Sequence, residues 1–282
     1  MTSSCTFCSF EIPASADRCP HCFRPSLFPN VSSAEGPHEG SALNIRYRAA
    51  VDDARSRNVR DLVSQFELAV STDSKAVISR SSEEVFRIVS SMNQLYASYY
   101  KLVEAGVRSP QSAGHDTFRG VADEKLFPHF KTQICFALLS LDGRGVPYYG
   151  DCHMVLHNDM ISHRATAFDQ NSLEFVGKLR VDEPIPPGYR SAWNKRGILA
   201  VAKLAHQIRS STRAIDFPKI LLSIGSSLGH EQFVEVHIYG SITARSLAAI
   251  VVEKPKQVKI SVRLKALKEK LAKWGIGFAE AS

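Results

Sequence analysis

Residues 233–252, F-V-E-V-H-I-Y-G-S-I-T-A-R-S-L-A-A-I-V-V, open with the period-two alternation that suits a β-strand and no helix. Val234, Val236 and Ile238 fall on one face of that strand. Phe233, Glu235, His237 and Tyr239 fall on the other. Gly240-Ser241 breaks the run, and Ala249–Val252 starts a further strand. A sheet is therefore required, and one of its faces must accept a carboxylate between apolar neighbours. Such a carboxylate sits either on a wet sheet face or in a cleft.

The same texture continues upstream. Short apolar runs divided by turn residues predict strands at Thr117–Arg119, Ile134–Leu141, Cys152–Leu156, Ala165–Phe168, Leu173–Val176 and Ile220–Ile224. Asp142-Gly143 and Tyr149-Gly150 are turn signals between them. Ser191 caps a predicted helix over 192–209, after a break at Pro184, Pro186, Pro187 and Gly188. The first hundred residues read differently. Tyr47, Val51, Val59, Leu62, Phe66 and Val70 keep helical spacing and predict one helix over 43–70. Ser81 with Glu84 forms a capping box that opens a second helix, with an apolar face running to Val103 and a stop at Gly106. Tyr96, Tyr99 and Tyr100 read as core side chains of that helix. At the C-terminal end, Leu264, Leu267, Leu271 and Trp274 stripe a helix rich in lysine, either a solvated face or a contact for phosphates.

Four of the six cysteines stand in the first 22 residues, as C-T-F-C and C-P-H-C. Two such knuckles bring four soft thiolates, Cys5, Cys8, Cys19 and Cys22, within reach of one tetrahedral centre that suits Zn²⁺. With four cysteine ligands no coordination position is left for a substrate, so the zinc is structural. Phe7, Phe10 and Phe23 are expected to cover the metal, and His21 to face solvent. The stretch 26–42 is rich in Pro, Gly and Ser and reads as a linker. The expected organisation is a zinc ribbon at 1–25, a linker at 26–42, a helical segment at 43–108 and an α+β domain at 109–282.

A net charge of +7 permits a polyanionic partner without demanding one. The N-terminus lacks the basic and apolar regions of a secretory signal, and no apolar run reaches the ~20 residues of a membrane span. A cytoplasmic protein without membrane contact is expected. G-x-x-x-x-G-K-[ST] and H-E-x-x-H are missing, which removes the corresponding phosphoryl-transfer and metalloprotease chemistries, and the Gly/Ser-rich stretch Ile224–Gly229 reads as a loop.

Four pieces carry a resemblance: T-F-R-G at Thr117–Gly120, the run from Cys135 to Leu156 containing Y-Y-G-D-C-H, H-R-A-T-A-F-D-Q-N-S at His163–Ser172, and E-V-H-I-Y-G from Glu235. Together they span about half of the chain, and they resemble the ADP-ribosyltransferase superfamily, particularly its bacterial toxin and defence branches. The resemblance implies a split mixed β-sheet and a reaction that moves ADP-ribose from NAD⁺ to a macromolecule, either RNA or another nucleic acid, or a protein. It implies a toxin or antiphage effector, with an antitoxin partner to be expected of a toxin. Glu235 would stabilise the oxocarbenium-like centre, Arg119 would hold the diphosphate, Tyr149 would stack on nicotinamide and Ser172 would hold the site geometry. His153 is a further active-site candidate. The Ser-Thr-Ser triplet of the arginine-serine-glutamate class is missing. His115-Asp116-Thr117 resembles the His-Gly-Thr of the histidine-tyrosine-glutamate class instead, so the first position is His115 or Arg119. The alternative from a different class is a non-catalytic zinc-ribbon adaptor that binds nucleic acid.

Overall fold

The computed structural model describes residues 2–4, 8, 10–13, 16, 18–23, 28–110, 112–180, 182–225, 231–253 and 258–281. Its centre is a mixed sheet of eight strands: β1 Lys75–Arg80, β2 Ile134–Ser140, β3 Cys152–Leu156, β4 Ala165–Phe168, β5 Arg190–Ala192, β6 Glu235–Tyr239, β7 Leu247–Val252 and β8 Gly277–Glu280. The spatial order is β8-β7-β3-β1-β2-β6-β4-β5, antiparallel throughout except for the β7–β8 edge pair. The two four-stranded halves meet at β1 and β2 through only three residue pairs, Lys75–Ser140, Ala76–Leu139 and Val77–Leu138. Beyond them β1 follows β3 while β2 follows β6, so the ladder splays apart.

One face of the sheet packs on the helices Pro37–Ser56, Arg60–Asp73 and Arg196–Leu204. Ile78, Met154, Ala137, Val236 and Ile238 from the strands share a single core there with Leu43, Phe66, Leu199 and Leu204. The expected boundary at 108/109 thus falls inside one core. The opposite face carries two smaller apolar clusters. Val77, Leu138, Val146, Val155, Phe233 and Val251 form one, over the junction of the two halves. Ala122, Leu126, Phe127, Ile134, Phe168 and Phe175 form the other, under the helix Ala113–Leu126. The predicted Leu stripe holds on the C-terminal helix Val258–Lys273: Leu264, Leu267 and Leu271 are buried in the main core.

Several expectations are corrected. Thr117–Arg119 is helical: Ser112 accepts from His115 N–H at the N-terminus of Ala113–Leu126, and Ala122 and Leu126 supply its buried face. Leu173–Val176 is also helical, because Asn171 accepts from the N–H groups of Leu173 and Glu174 and so caps Ser172–Gly177. Around Ile220 the chain forms the short helix Phe217–Leu221 with Pro218 in its first turn, where a missing N–H costs nothing. The helix over 43–70 is really two. Asn58, at φ 56, adopts the left-handed conformation that ends the first before Val59. Ser81 caps its helix, with Glu84 N–H donating to its hydroxyl, but the Glu84 carboxylate pairs with Arg80 and the helix ends at Ile88. The 26–42 stretch is not a free linker, since Pro29–Ala34 is a helix and Pro37 opens the next one. Within it Asn30 is buried, and its Nδ2 donates to the carbonyls of Arg164 and His237.

Candidate active site

Glu235 opens β6 beside the junction of the two half-sheets. Cross-strand register places Val155, Val77, Leu138, Glu235 and Phe168 in one row on one face. A carboxylate in a row of four apolar side chains must be partnered, because burying a lone charge costs far more than any packing gain returns. Glu235 is only 7% exposed. His237 Nε2 lies 2.6 Å from Glu235 Oε1, and the backbone N–H of Ser172 donates to Oε2 at 3.4 Å. The wet-face reading of Glu235 is thereby excluded.

His237 is the partner that sequence reasoning missed. It stands two residues on, on the same face, and its ring is boxed by Phe127, Phe136 and Phe168 with centroids 4.8, 5.3 and 5.6 Å away. The box fixes the imidazole plane so that one nitrogen meets the carboxylate. The Glu-x-His spacing on a strand is the signal that would have found it.

Around this pair lies a ring of charged groups. Asp123, fully buried on the Ala113–Leu126 helix, accepts from Tyr100 Oη at 2.8 Å through Oδ2, while its Oδ1 has no partner. Burial pushes its pKa from 3.8 up to about 6, against the Tyr100 hydrogen bond and the Arg119 guanidinium, and Glu235 adds to the rise. Arg119, one turn earlier, stacks its guanidinium over the rings of Tyr99 at 5.0 Å and Phe136 at 5.9 Å. Tyr149 lies in the turn Pro147–Tyr149 and is 38% exposed. Burial of its phenol, and then the carboxylates of Glu231, Glu235 and Glu174, push it up to about 12. Lys203 donates from Nζ to the carbonyls of Asp169 and Phe233, tying together the two segments that deliver Ser172 and Glu235. Burial pulls this lysine down to about 8, against the opposing pull of Asp169.

Of the expected site residues, Glu235, Ser172, Tyr149 and Arg119 come together around the buried Glu235–His237 pair. Ser172 acts there through its backbone N–H. Arg119 arrives from a helix, not from the first strand. His115 lies toward the start of that helix, 3.6 Å from Asp116. His153 belongs elsewhere: on β3, fully buried, it meets Ser79 Oγ at 2.9 Å and Glu253 Oε1 at 3.1 Å. Burial holds its pKa below the ordinary value against the pull of Glu253. It is a bonded core histidine under the 141–150 loop, where a side chain on Gly145 would strike Ser79 and His153.

Two expected outcomes follow from this geometry. Asp123 has a folded pKa above its unfolded one, so the native state binds more protons between 3.8 and about 6 and loses stability as pH rises through that window. Asp123→Asn keeps the acceptor for Tyr100 and removes the buried charge. It should therefore be more stable than wild type at pH 8, by about 3 kcal/mol at most, with no gain near pH 3.5. Urea titrations at the two pH values measure the difference. Gly150 follows Tyr149 at φ 147, with a Cβ position that overlaps the Arg80 carbonyl. Gly150→Ala should cost about 3 kcal/mol in the same assay, because both the dihedral and the space are unavailable to alanine.

In the N-terminal module, Cys8, Cys19 and Cys22 present sulfur atoms all within 4.8 Å of one another, the only such metal-competent group among the described residues. Cys8 and Cys19 Sγ atoms are 3.5 Å apart, and Cys22 N–H donates to Cys19 Sγ. Burial raises the Cys19 thiol, but hydrogen bonds from Cys22, His21 and Cys8 outweigh it and hold the pKa below its ordinary value, which favours the thiolate that a metal takes. These three residues could hold a metal ion; Cys5 lies outside the described residues. Phe10 and Phe23 do not cover the cluster as expected. Its small core is Ile12 and Cys19 with Cys8, Ala16 and Cys22 around them. Among the described residues no helix is long and apolar enough to cross a membrane.

In comparison with known proteins, no protein-family model matches the chain, and no curated sequence is significantly similar to it.

Proposed function

We propose that the protein transfers ADP-ribose from NAD⁺ to a macromolecular acceptor, with Glu235 as the residue that stabilises the transition state. The observation that carries this reading is the buried Glu235 itself, oriented by His237 and the Ser172 N–H and flanked by Arg119 and Tyr149. Breaking the bond between nicotinamide and ribose sends its electron pair to the departing nicotinamide and leaves positive charge on the sugar. A carboxylate held at that charge by fixed partners needs no reorganisation when the charge develops, which is where most catalytic benefit of this kind comes from. The nucleophile then bonds to the anomeric carbon, and its proton passes to the Glu235 carboxylate. Arg119 supplies a planar set of donors for phosphate oxygens, and the Tyr149 ring supplies a stacking surface.

The splay between β1 and β2 supports the split ADP-ribosyltransferase-like sheet, and the Cys8–Cys19–Cys22 cluster supports a structural zinc completed by Cys5. The role would be that of a toxin or defence effector, neutralised by an antitoxin. The test is direct. Zinc-loaded protein is incubated with labelled NAD⁺ and separate pools of RNA, DNA and protein, with Glu235→Ala alongside. Label entering one pool with wild type alone supports the reading. No transfer and no nicotinamide release from folded protein ends it.

A further inference from the structure

Among its described residues the cysteine module leaves two phenylalanines in water. Phe10 is 45% and Phe23 72% exposed, against a core of two buried residues. Phe10 and the exposed His21 stack with centroids 5.2 Å apart and only 13° between their planes, which leaves the outer faces of a flat pair open. Phe23 sits at φ 56, an uncommon conformation for a bulky side chain. Its N–H donates to Cys19 O, so the knuckle turn itself holds Phe23 in this conformation, with its ring in solvent. Arg18 is exposed in the same module, and the chain as a whole carries +7.

We propose that Phe10, His21 and Phe23 form a stacking platform for unpaired nucleobases, and that the polymer held there is the acceptor presented to the Glu235 site. The second half of this statement rests on the ADP-ribosyl-transfer reading; the first half does not. Flat rings open on one side, with an exposed cation in the same module, match the π-face that every nucleobase offers once it is unstacked. A peptide would ask instead for a concave apolar groove. The connection to the sheet is short. From Cys22 the chain has six residues in which to reach Phe28, about 20 Å at full extension. Phe28 packs on Tyr239 and His163 at 5.3 and 5.7 Å, and Asn30 bonds the His237 carbonyl. The platform is thus tethered to the far end of the strand that Glu235 opens.

The experiment uses zinc-loaded full-length protein and fluorescence anisotropy with unstructured oligomers of about twelve nucleotides, RNA and DNA, and a duplex of the same sequence. Single strands should bind at least tenfold tighter than duplex. Phe10→Leu/Phe23→Leu, which keeps apolar surface and loses the flat rings, should bind single strands at least tenfold more weakly, with the same zinc content and an unchanged salt slope. Phe10→Trp/Phe23→Trp should keep wild-type affinity. Leucine variants that bind as wild type, or duplex bound as tightly as single strand, overturn the platform. Binding with the expected signature but no NAD⁺ consumption leaves the platform standing and removes the transfer chemistry. Transfer into protein without oligonucleotide binding does the reverse.

Discussion

Glu235→Gln is expected to slow nicotinamide release from NAD⁺ by about 10²- to 10³-fold, the size of loss that follows removal of one preorganised electrostatic partner from a buried site. The substitution is nearly isosteric. Its one oxygen can accept from the Ser172 N–H while its amide N–H donates to His237 Nε2 in the Nδ1–H tautomer, so the local fold should survive. A buried charge is removed rather than orphaned, and the melting temperature should stay the same or rise. Loss of rate with intact stability is therefore the specific signature. His237→Phe removes the 2.6 Å partner and leaves the carboxylate to the Ser172 N–H alone, so both the melting temperature and kcat should fall. A Glu235→Gln rate within tenfold of wild type would remove this carboxylate from the reaction.

Cys19→Ser should abolish zinc binding and unfold the cysteine module while leaving the sheet intact. Cys19 is fully buried and central to its cluster, with Cys8 Sγ at 3.5 Å. In modules with so small a core the metal supplies most of the folding free energy, about 10–16 kcal/mol for structural zinc sites. The cluster of Ile12 and Cys19 is separate from the clusters on either face of the sheet. Metal analysis should therefore fall from about one zinc per chain to none, and amide exchange should quicken over residues 8–23 but not over β1 to β8. Zinc retained at full occupancy would show that Cys19 is not a ligand.

The strands most legible in the sequence were those with a clear break at each end. Ile134–Ser140, Cys152–Leu156, Ala165–Phe168 and Glu235–Tyr239 all lie where alternation or apolar runs predict them. The central strand β1 escaped, since Ala76, Val77 and Ile78 are buried on both faces and leave no alternation to read. The helix carrying Arg119 was misread as a strand because T-F-R is β-prone locally; its cap at Ser112 and tertiary packing at Ala122 and Leu126 decide otherwise. At the candidate site, the carboxylate was legible because a strand glutamate stands out among apolar neighbours. Asp123 and Lys203 were not, because they come from helices distant in sequence and acquire their meaning only through burial.

Strand β6 lies between β2 and β4, which precede it in the chain by nearly a hundred and by some seventy residues. During synthesis those two earlier strands exist for many seconds with a vacant slot between them and open edges facing it. A nascent chain that has not yet emerged through residue 239 therefore lacks the Glu235–His237 pair, yet has two sticky edges. Ribosome stalling or proteolysis upstream of Glu235 should yield aggregation-prone fragments, so that the chain closes its open edges and gains its buried carboxylate in one step.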